Sequence, residues 1–117
     1  MSDGWPAQWL KGVLELCVLA VVAEGETYGY AIAQRLDRVG FGQIRGGTLY
    51  PILLRLEQGG LVTSTWGAGQ GGPGRKFCRI TEAGTAELHT RCDDWHAFTA
   101  TAAALLPRGG SLGPSGH

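Results

Sequence analysis

Apolar residues recur at three- and four-residue steps between Gln8 and Ala23, where Leu10, Val13, Leu14, Cys17, Val18 and Val21 trace one side of a helix. Leu16, Leu19 and Val22 make the other side apolar too, so this helix needs cover twice over: the domain core on one side, a subunit partner on the other. After a break at Gly25-Glu26-Thr27, a second helix is expected from Tyr28 to Val39. Thr27 would be its cap, Gly29, Ile32, Ala33 and Leu36 its buried stripe, and Gly40-Phe41-Gly42 its stop. Leu49, Ile52, Leu53 and Leu56 then follow the i, i+3, i+4, i+7 pattern of a third helix. Pro51 sets where that helix begins. With Thr48 as N-cap the proline falls in the first turn, where a missing N–H loses no intrahelical bond. Gly47, Thr48, Pro51 and Arg55 then face away from the core, and Gly59-Gly60 ends the helix.

Beyond Gly60 the period shortens. Leu61 to Trp66 and Arg75 to Ile80, rich in β-branched and aromatic residues, read as antiparallel strands. Between them Gly67 to Gly74 holds five glycines and a proline in eight residues, which predicts a flexible tip. Thr81 caps a last helix, with Glu82 well placed in its first turn, and Pro107 with Gly109-Gly110 stops it near Leu106. Its stripe of Leu88, Cys92, Trp95, Thr99, Ala102 and Leu106 steps by 4, 3, 4, 3, 4, a coiled-coil-like rhythm. The organisation expected is a flexible N-terminus (1–7), a folded unit of three helices and a β-hairpin (8–80), a dimerisation helix (81–106) and a disordered tail (107–117). The fold class is mainly α with a small β-hairpin. A short helix beside a hairpin carrying Arg75, Lys76 and Arg79 is the arrangement of a winged helix-turn-helix, and the doubly apolar first helix with the striped last one predicts a homodimer.

Charge sharpens this picture. The 117 residues sum to zero, but residues 26–80 carry seven basic groups against three acidic ones, a net +4, and each flank is acidic by two. Attraction to phosphate depends on that local field rather than on the total. The longest apolar run, Leu16 to Ala23, has eight residues between Glu15 and Glu24, too short to span a bilayer. No basic flank and cleavable apolar core open the chain, so export is not expected. Cys17, Cys78 and Cys92 are odd in number and lack C-x-x-C spacing, which argues against a disulfide framework or a structural zinc site and for reduced thiols in the cytoplasm.

Several of these pieces together resemble the PadR family of bacterial transcriptional regulators. They are Tyr28-Gly29-Tyr30-Ala31-Ile32, Gly47-Thr48-Leu49-Tyr50-Pro51, Leu53 to Glu57 followed by Gly60-Leu61-Val62, Gly72-Pro73-Gly74-Arg75-Lys76, Thr81-Glu82-Ala83-Gly84, and Trp95 late in the last helix. The resemblance spans about Leu10 to Leu106. It implies a homodimeric winged helix-turn-helix that represses transcription, often of a neighbouring detoxification or efflux gene. With a single short C-terminal helix, the chain is similar to the small subgroup that dimerises through first and last helices, some members of which bind flat aromatic compounds between the subunits. It departs from the common pattern at Phe77-Cys78, where paired aromatics are usual, and in its glycine-rich tip.

The candidate DNA-contacting residues are Tyr30, Gln43, Arg45, Thr48, Tyr50, Arg55, Arg75 and Lys76. Thr48 and Tyr50 can donate to phosphate, and Arg55 can reach a guanine edge. The alternatives are that Tyr50 packs at the base of the hairpin, that Thr48 merely caps, and that Tyr30 serves the core. Gln43 and Arg45 would add phosphate contacts. Arg75 and Lys76, adjacent on a strand, point to opposite faces, so one would enter the minor groove and the other track the backbone. A twofold operator with half-sites about 34–36 Å apart, or a multiple of that, follows from such a dimer.

On the dimer stripe, Trp95 can face its symmetry mate and sandwich a planar aromatic effector, with Phe98, Trp9, Val13 and Cys17 lining the same cavity; plain interface packing is the alternative. His89, Asp93 and His96, with Cys92 alongside, have a spacing that can hold a metal, but a helix surface often carries such groups without one; no metal and no cofactor is assigned. Catalysis has little support, since no nucleophile–base pair or paired carboxylate stands at useful spacing. The glycines at 67–72 lie between strands rather than opening a helix, so they are not a phosphate loop. The competing readings are a metal-responsive regulator of the same fold and a winged helix that docks on another protein.

Overall fold

The computed structural model describes residues 5–67 and 74–108. Its elements are α1 (Ala7–Ala23), β1 (Thr27–Tyr28), α2 (Gly29–Leu36), α3 (Gly46–Gln58), β2 (Val62–Gly67), β3 (Arg75–Ile80) and α4 (Glu82–Leu105). α1 runs through the centre of the core, burying Leu14, Val18, Leu19 and Val22. Ile32 and Leu36 of α2 close on it, as do Leu49, Ile52, Leu53 and Leu56 of α3 and, from the sheet, Val62 and Cys78. The stripes read for α2 and α3 are the faces that meet, and the architecture is the expected winged helix-turn-helix. The two sides expected of α1 are not kept apart: Leu19 and Val22 of the second side are buried in the core with Leu14 and Val18, while Leu10, Val13, Cys17 and Val21 are half-buried, because α2, α3, β3 and α4 all pack against this central helix.

Three further expectations need correction. Thr27 does not cap α2: with Tyr28 it forms β1, a third strand, in the order β1-β3-β2, with Thr27 opposite Cys78 and Tyr28 opposite Phe77. Tyr28 holds the cap position in extended conformation without a side-chain cap bond. A β-branched and an aromatic residue beside an open strand edge satisfy their backbone better in a ladder than in a turn. Second, α2 ends at Leu36 rather than Val39, and Asp37–Phe41 widen into a π-helical turn. Gly40 within it has φ +112°, a conformation that ends a regular helix and suits glycine.

Third, Thr48 is not the cap of α3. The helix starts at Gly46, and the Arg45 carbonyl accepts from the backbone N–H of both Thr48 and Leu49 at 2.9 Å. Pro51 therefore lies inside the helix and gives no N–H to the Gly47 carbonyl. Gly47 is exposed, so water can take the place of the missing bond. The expected outward face of Gly47, Thr48, Pro51 and Arg55 is exposed as read. At the other end Leu61 N–H bonds the Leu56 carbonyl and Gly60 N–H the Glu57 carbonyl, both at 3.0 Å, a glycine-terminated helix end.

Thr81 does cap α4. Its hydroxyl oxygen accepts from Gly84 N–H at 2.9 Å and its hydroxyl donates to the Gly60 carbonyl at 2.7 Å, tying the ribbon, the end of α3 and the last helix together. Leu88, Cys92, Trp95, Thr99 and Ala102 are half-buried, while Phe98, Leu105 and Leu106 are exposed. Gly84 is the one fully buried residue of this 24-residue helix. At 1.5 Å per residue α4 is about 36 Å long. Among the described residues no helix is long and apolar enough to cross a membrane. The glycine-rich tip at 68–73 and the tail beyond 108 lie outside the described residues, as do residues 1–4.

Candidate nucleic-acid interface

α3 presents its polar face between two concavities, and the residues singled out from the sequence divide between them. On the ribbon side, Tyr28, Gly29, Tyr30, Tyr50, Trp66, Gly74, Arg75 and Lys76 line a cleft of about 510 Å³. On the α1 side, Gln43, Arg45, Thr48 and Arg55 line a groove of about 490 Å³ with Leu10, Lys11, Leu14 and Glu15. Register explains the ribbon side. Arg75 and Lys76 alternate across β3, opposite Gly67 and Trp66 of β2.

The two ribbon cations are held in different ways. The Arg75 guanidinium lies 4.6 Å from the centre of the Tyr28 ring, on the sheet face away from the core. Lys76, on the core-side face, reaches Glu57 of α3, Nζ to Oε1 3.3 Å. That ion pair links the ribbon to α3 across a partly exposed surface.

Tyr50 is 58 % exposed, and its ring crosses the backbone of Gly29. Tyr30, on the next turn of chain, accepts a hydrogen bond from Gln34 Nε2 at 3.1 Å through its hydroxyl oxygen and leaves the O–H proton available. Thr48, freed from capping, keeps its hydroxyl at the exposed start of α3. Arg55 is placed differently from a residue simply reaching outward: its Nε donates to Glu15 Oε1 at 3.1 Å. Glu15 also accepts from Arg91 of α4 at 3.5 Å, and Arg91 donates to Glu87 at 2.7 Å. Both acids raise the Arg91 guanidinium above its ordinary range, Glu87 most.

The residues proposed from sequence for an effector are only partly brought together. Trp95 and Phe98 meet at 5.9 Å between ring centres with their planes tilted by 43°, and line a cleft of about 560 Å³ with Lys11, Gly12, Glu15, Leu16, Arg91 and Asp94. Trp9 instead pairs with Trp5 at 6.4 Å, and the Trp5 indole N–H donates to the Gly40 carbonyl at 3.0 Å. Val13 and Cys17 are half-buried outside that cleft. Burial pushes the Cys17 thiol above its ordinary value, and nearby Cys92 adds to the effect. His89, Asp93 and His96 are exposed, and among the described residues no three His, Cys, Asp or Glu side chains converge to hold a metal.

Sequence reasoning passed over Trp66, Tyr28, Glu15 and Glu57. Trp66 carried a signal: it was read as strand, yet its place near the end of the ribbon puts it beyond the reach of the core. The two glutamates carried none, since their partners lie far away along the chain.

A model of the family described as transcriptional regulator PadR-like matches residues 18–90. A transcriptional regulator from Mycobacterium tuberculosis is 36 % identical over 81 residues, 69 % of this chain and 74 % of that protein. The crystal structure of a PadR-like transcriptional regulator from Bacillus cereus has a TM-score of 0.75 at 37 % identity, covering 86 % of this chain and 98 % of that one. The PadR of Bacillus subtilis, solved in complex with operator DNA, has a TM-score of 0.61 at 27 % identity, covering 71 % of this chain and 46 % of that one.

Proposed function

The chain belongs to the PadR-like family of transcriptional regulators, and from that premise we propose that it is a homodimeric repressor released by a small effector. The observation that carries the DNA-binding half is the cleft that Tyr50 of α3 lines together with the ribbon cations Arg75 and Lys76. α3 enters a major groove and the ribbon the adjacent minor groove. Tyr30, Thr48 and Tyr50 donate to phosphates, and Gln43, Arg45, Arg75 and Lys76 supply amide and cationic contacts. Arg55 reaches DNA by exchanging its carboxylate partner for a phosphate.

Dimerisation is supported by α4. A helix with one buried residue, an apolar stripe and exposed Phe98, Leu105 and Leu106 gains from a second copy what its own subunit does not give it. Pairing α1 and α4 with their symmetry mates brings two Trp95–Phe98 clefts towards each other, a setting for a planar aromatic compound. Such a ligand shifts the spacing of the two α3 helices to the extent that it prefers one arrangement of the dimer.

A gel shift against the duplex upstream of its own coding sequence, repeated across a salt series and with planar aromatic compounds, tests this reading. Binding that weakens steeply between about 50 and 200 mM salt is expected. No shift on any duplex in dilute buffer would sink the DNA reading. A compound that quenches tryptophan fluorescence while operator affinity stays constant would sink the effector coupling.

A further inference from the structure

Trp66 is 74 % exposed, more than any other described aromatic residue. It is the fifth residue of the six in β2 and lies on the same sheet face as Val62 and Ser64. Val62 is buried in the core, and Ser64 is half-buried against Cys78. Trp66 stands where that face continues past the core, opposite Lys76 in the ladder. It shares the cleft between α3 and the ribbon with Tyr30 and Tyr50, themselves 65 % and 58 % exposed. Leaving an indole and two phenol rings in water around one concavity forgoes favourable burial that each could have contributed. Isolated exposed aromatics call for no account; three around one cleft do.

The chemistry of the rim says what fits. Arg75 and Lys76 supply positive charge and the tyrosines hydroxyl donors, and among the described residues that line the cleft none is acidic, Glu57 reaching it only through its pair with Lys76. A ligand for this cleft offers anionic groups at intervals with apolar surface between them. A nucleic-acid strand has that alternation, phosphates separated by deoxyribose rings whose C–H faces are apolar. The cleft also lies between the two elements proposed to enter neighbouring grooves, where one strand of a duplex has to pass.

We propose that the cleft between α3 and the ribbon seats the sugar–phosphate backbone of one DNA strand, with the Trp66 indole packed on a deoxyribose and Tyr30, Tyr50, Arg75 and Lys76 on the phosphates either side. The inference rests on the DNA-binding reading and adds a residue and a mode of contact to it. Trp66 then supplies affinity without reading sequence, because every nucleotide carries the same sugar. Lys76 exchanges Glu57 for a phosphate as the strand seats.

The test compares the wild-type protein with Trp66→Phe and Trp66→Ala on two duplexes of equal length, one from upstream of its own coding sequence and one of random sequence. Circular dichroism melts of the three proteins should coincide, since the indole packs on little within the subunit. Expected is a loss of about tenfold for Trp66→Ala on both duplexes, a smaller loss for Trp66→Phe, and an unchanged slope of log affinity against log salt, because no charge is removed. Tryptophan fluorescence should fall on adding either duplex to the wild type and change less in Trp66→Phe. Wild-type affinity in Trp66→Ala with equal quenching in both proteins would overturn the inference and leave the DNA reading intact. A loss confined to the upstream duplex would overturn the backbone assignment in favour of base reading. Failure of the wild type to bind either duplex in dilute buffer would remove the DNA reading, and this inference with it.

Discussion

The phenol ring of Tyr50 rests on Gly29: a Cβ built on that glycine would stand 2.6 Å from the Tyr50 hydroxyl oxygen and 2.9 Å from Cε1. Two sequence pieces that looked independent, Tyr28-Gly29-Tyr30 and Gly47-Thr48-Leu49-Tyr50-Pro51, are thus halves of one contact. Gly29 is buried at the first position of α2, where alanine would otherwise suit the helix. Gly29→Ala should therefore change the melting temperature little but swing the tyrosine ring away from its place. Duplex affinity should drop several-fold, and Tyr50→Ala should make the same substitution at 29 harmless. A double-mutant cycle measures this, and additive losses would show that the contact does not set the ring.

Glu15 joins α3 to α4 through Arg55 and Arg91. The three side chains are between 31 % and 57 % exposed, so screening by water keeps the stabilisation small, about 0–1 kcal/mol. Glu15→Gln should leave folding almost unchanged while releasing Arg55 to a phosphate. Binding to random duplex should tighten, because Arg55 no longer gives up a carboxylate to reach a phosphate, while the salt slope stays near the wild-type value. An affinity identical to the wild type would mean that Arg55 stays clear of DNA.

Removing the ribbon cations should act in the opposite direction. Arg75→Ala with Lys76→Ala is expected to weaken upstream and random duplexes alike and to lower the salt slope by about two. Titrations at several salt concentrations decide this, and an unaltered slope would contradict the placement of the ribbon in a groove.

Gly84 tests the joint between ribbon and last helix. A side chain there would collide with the Leu61 carbonyl oxygen and approach Ile80 Cγ1 to 2.7 Å. Gly84→Ala gains about 1 kcal/mol of helix propensity, yet a backbone carbonyl held by Thr81 N–H has little room to move. A net loss of about 1–3 kcal/mol is expected from denaturant unfolding. A more stable variant would show that the joint yields.

Cys78 is 3 % exposed, and burial pushes its thiol above the ordinary value, although Ser64 and Lys76 pull the other way. The neutral form therefore persists to higher pH than for a free thiol, and the reactive thiolate is scarce at pH 8. Alkylation of Cys78 in the folded protein should be slow and should go on accelerating above pH 9, where a free thiol levels off. Mass spectrometry of timed samples reads this directly. Rapid labelling at pH 8 would mean that the sheet opens locally.

Much of the fold was legible because its signals are local. The stripes of α1, α3 and α4, the Thr81 cap and both long strands each depend on residues a few positions apart, and so does the concentration of basic groups in residues 26–80. The misreadings at Thr27 and Thr48 share one cause. Each threonine has a cap-like local context, and each is displaced from that role: Thr27 by the β3 edge, which lies far away along the chain, and Thr48 by a helix that begins one turn earlier than Pro51 suggests.

By itself the sequence determined the four helices, the two long strands, the buried faces of α2 and α3 and the sign of the charge on the central segment, since helical and strand periods are written within a few residues of chain. Tertiary structure alone decided how the polar groups are used. Arg55 meets a glutamate 40 positions away and Arg91 meets the same glutamate across 76, while Trp66 is left outside a core whose edge no local pattern marks. Pairings of that range arise only when packed helices bring distant residues within a few ångströms, and the apolar stripes that drive the packing are indifferent to which charges they carry along.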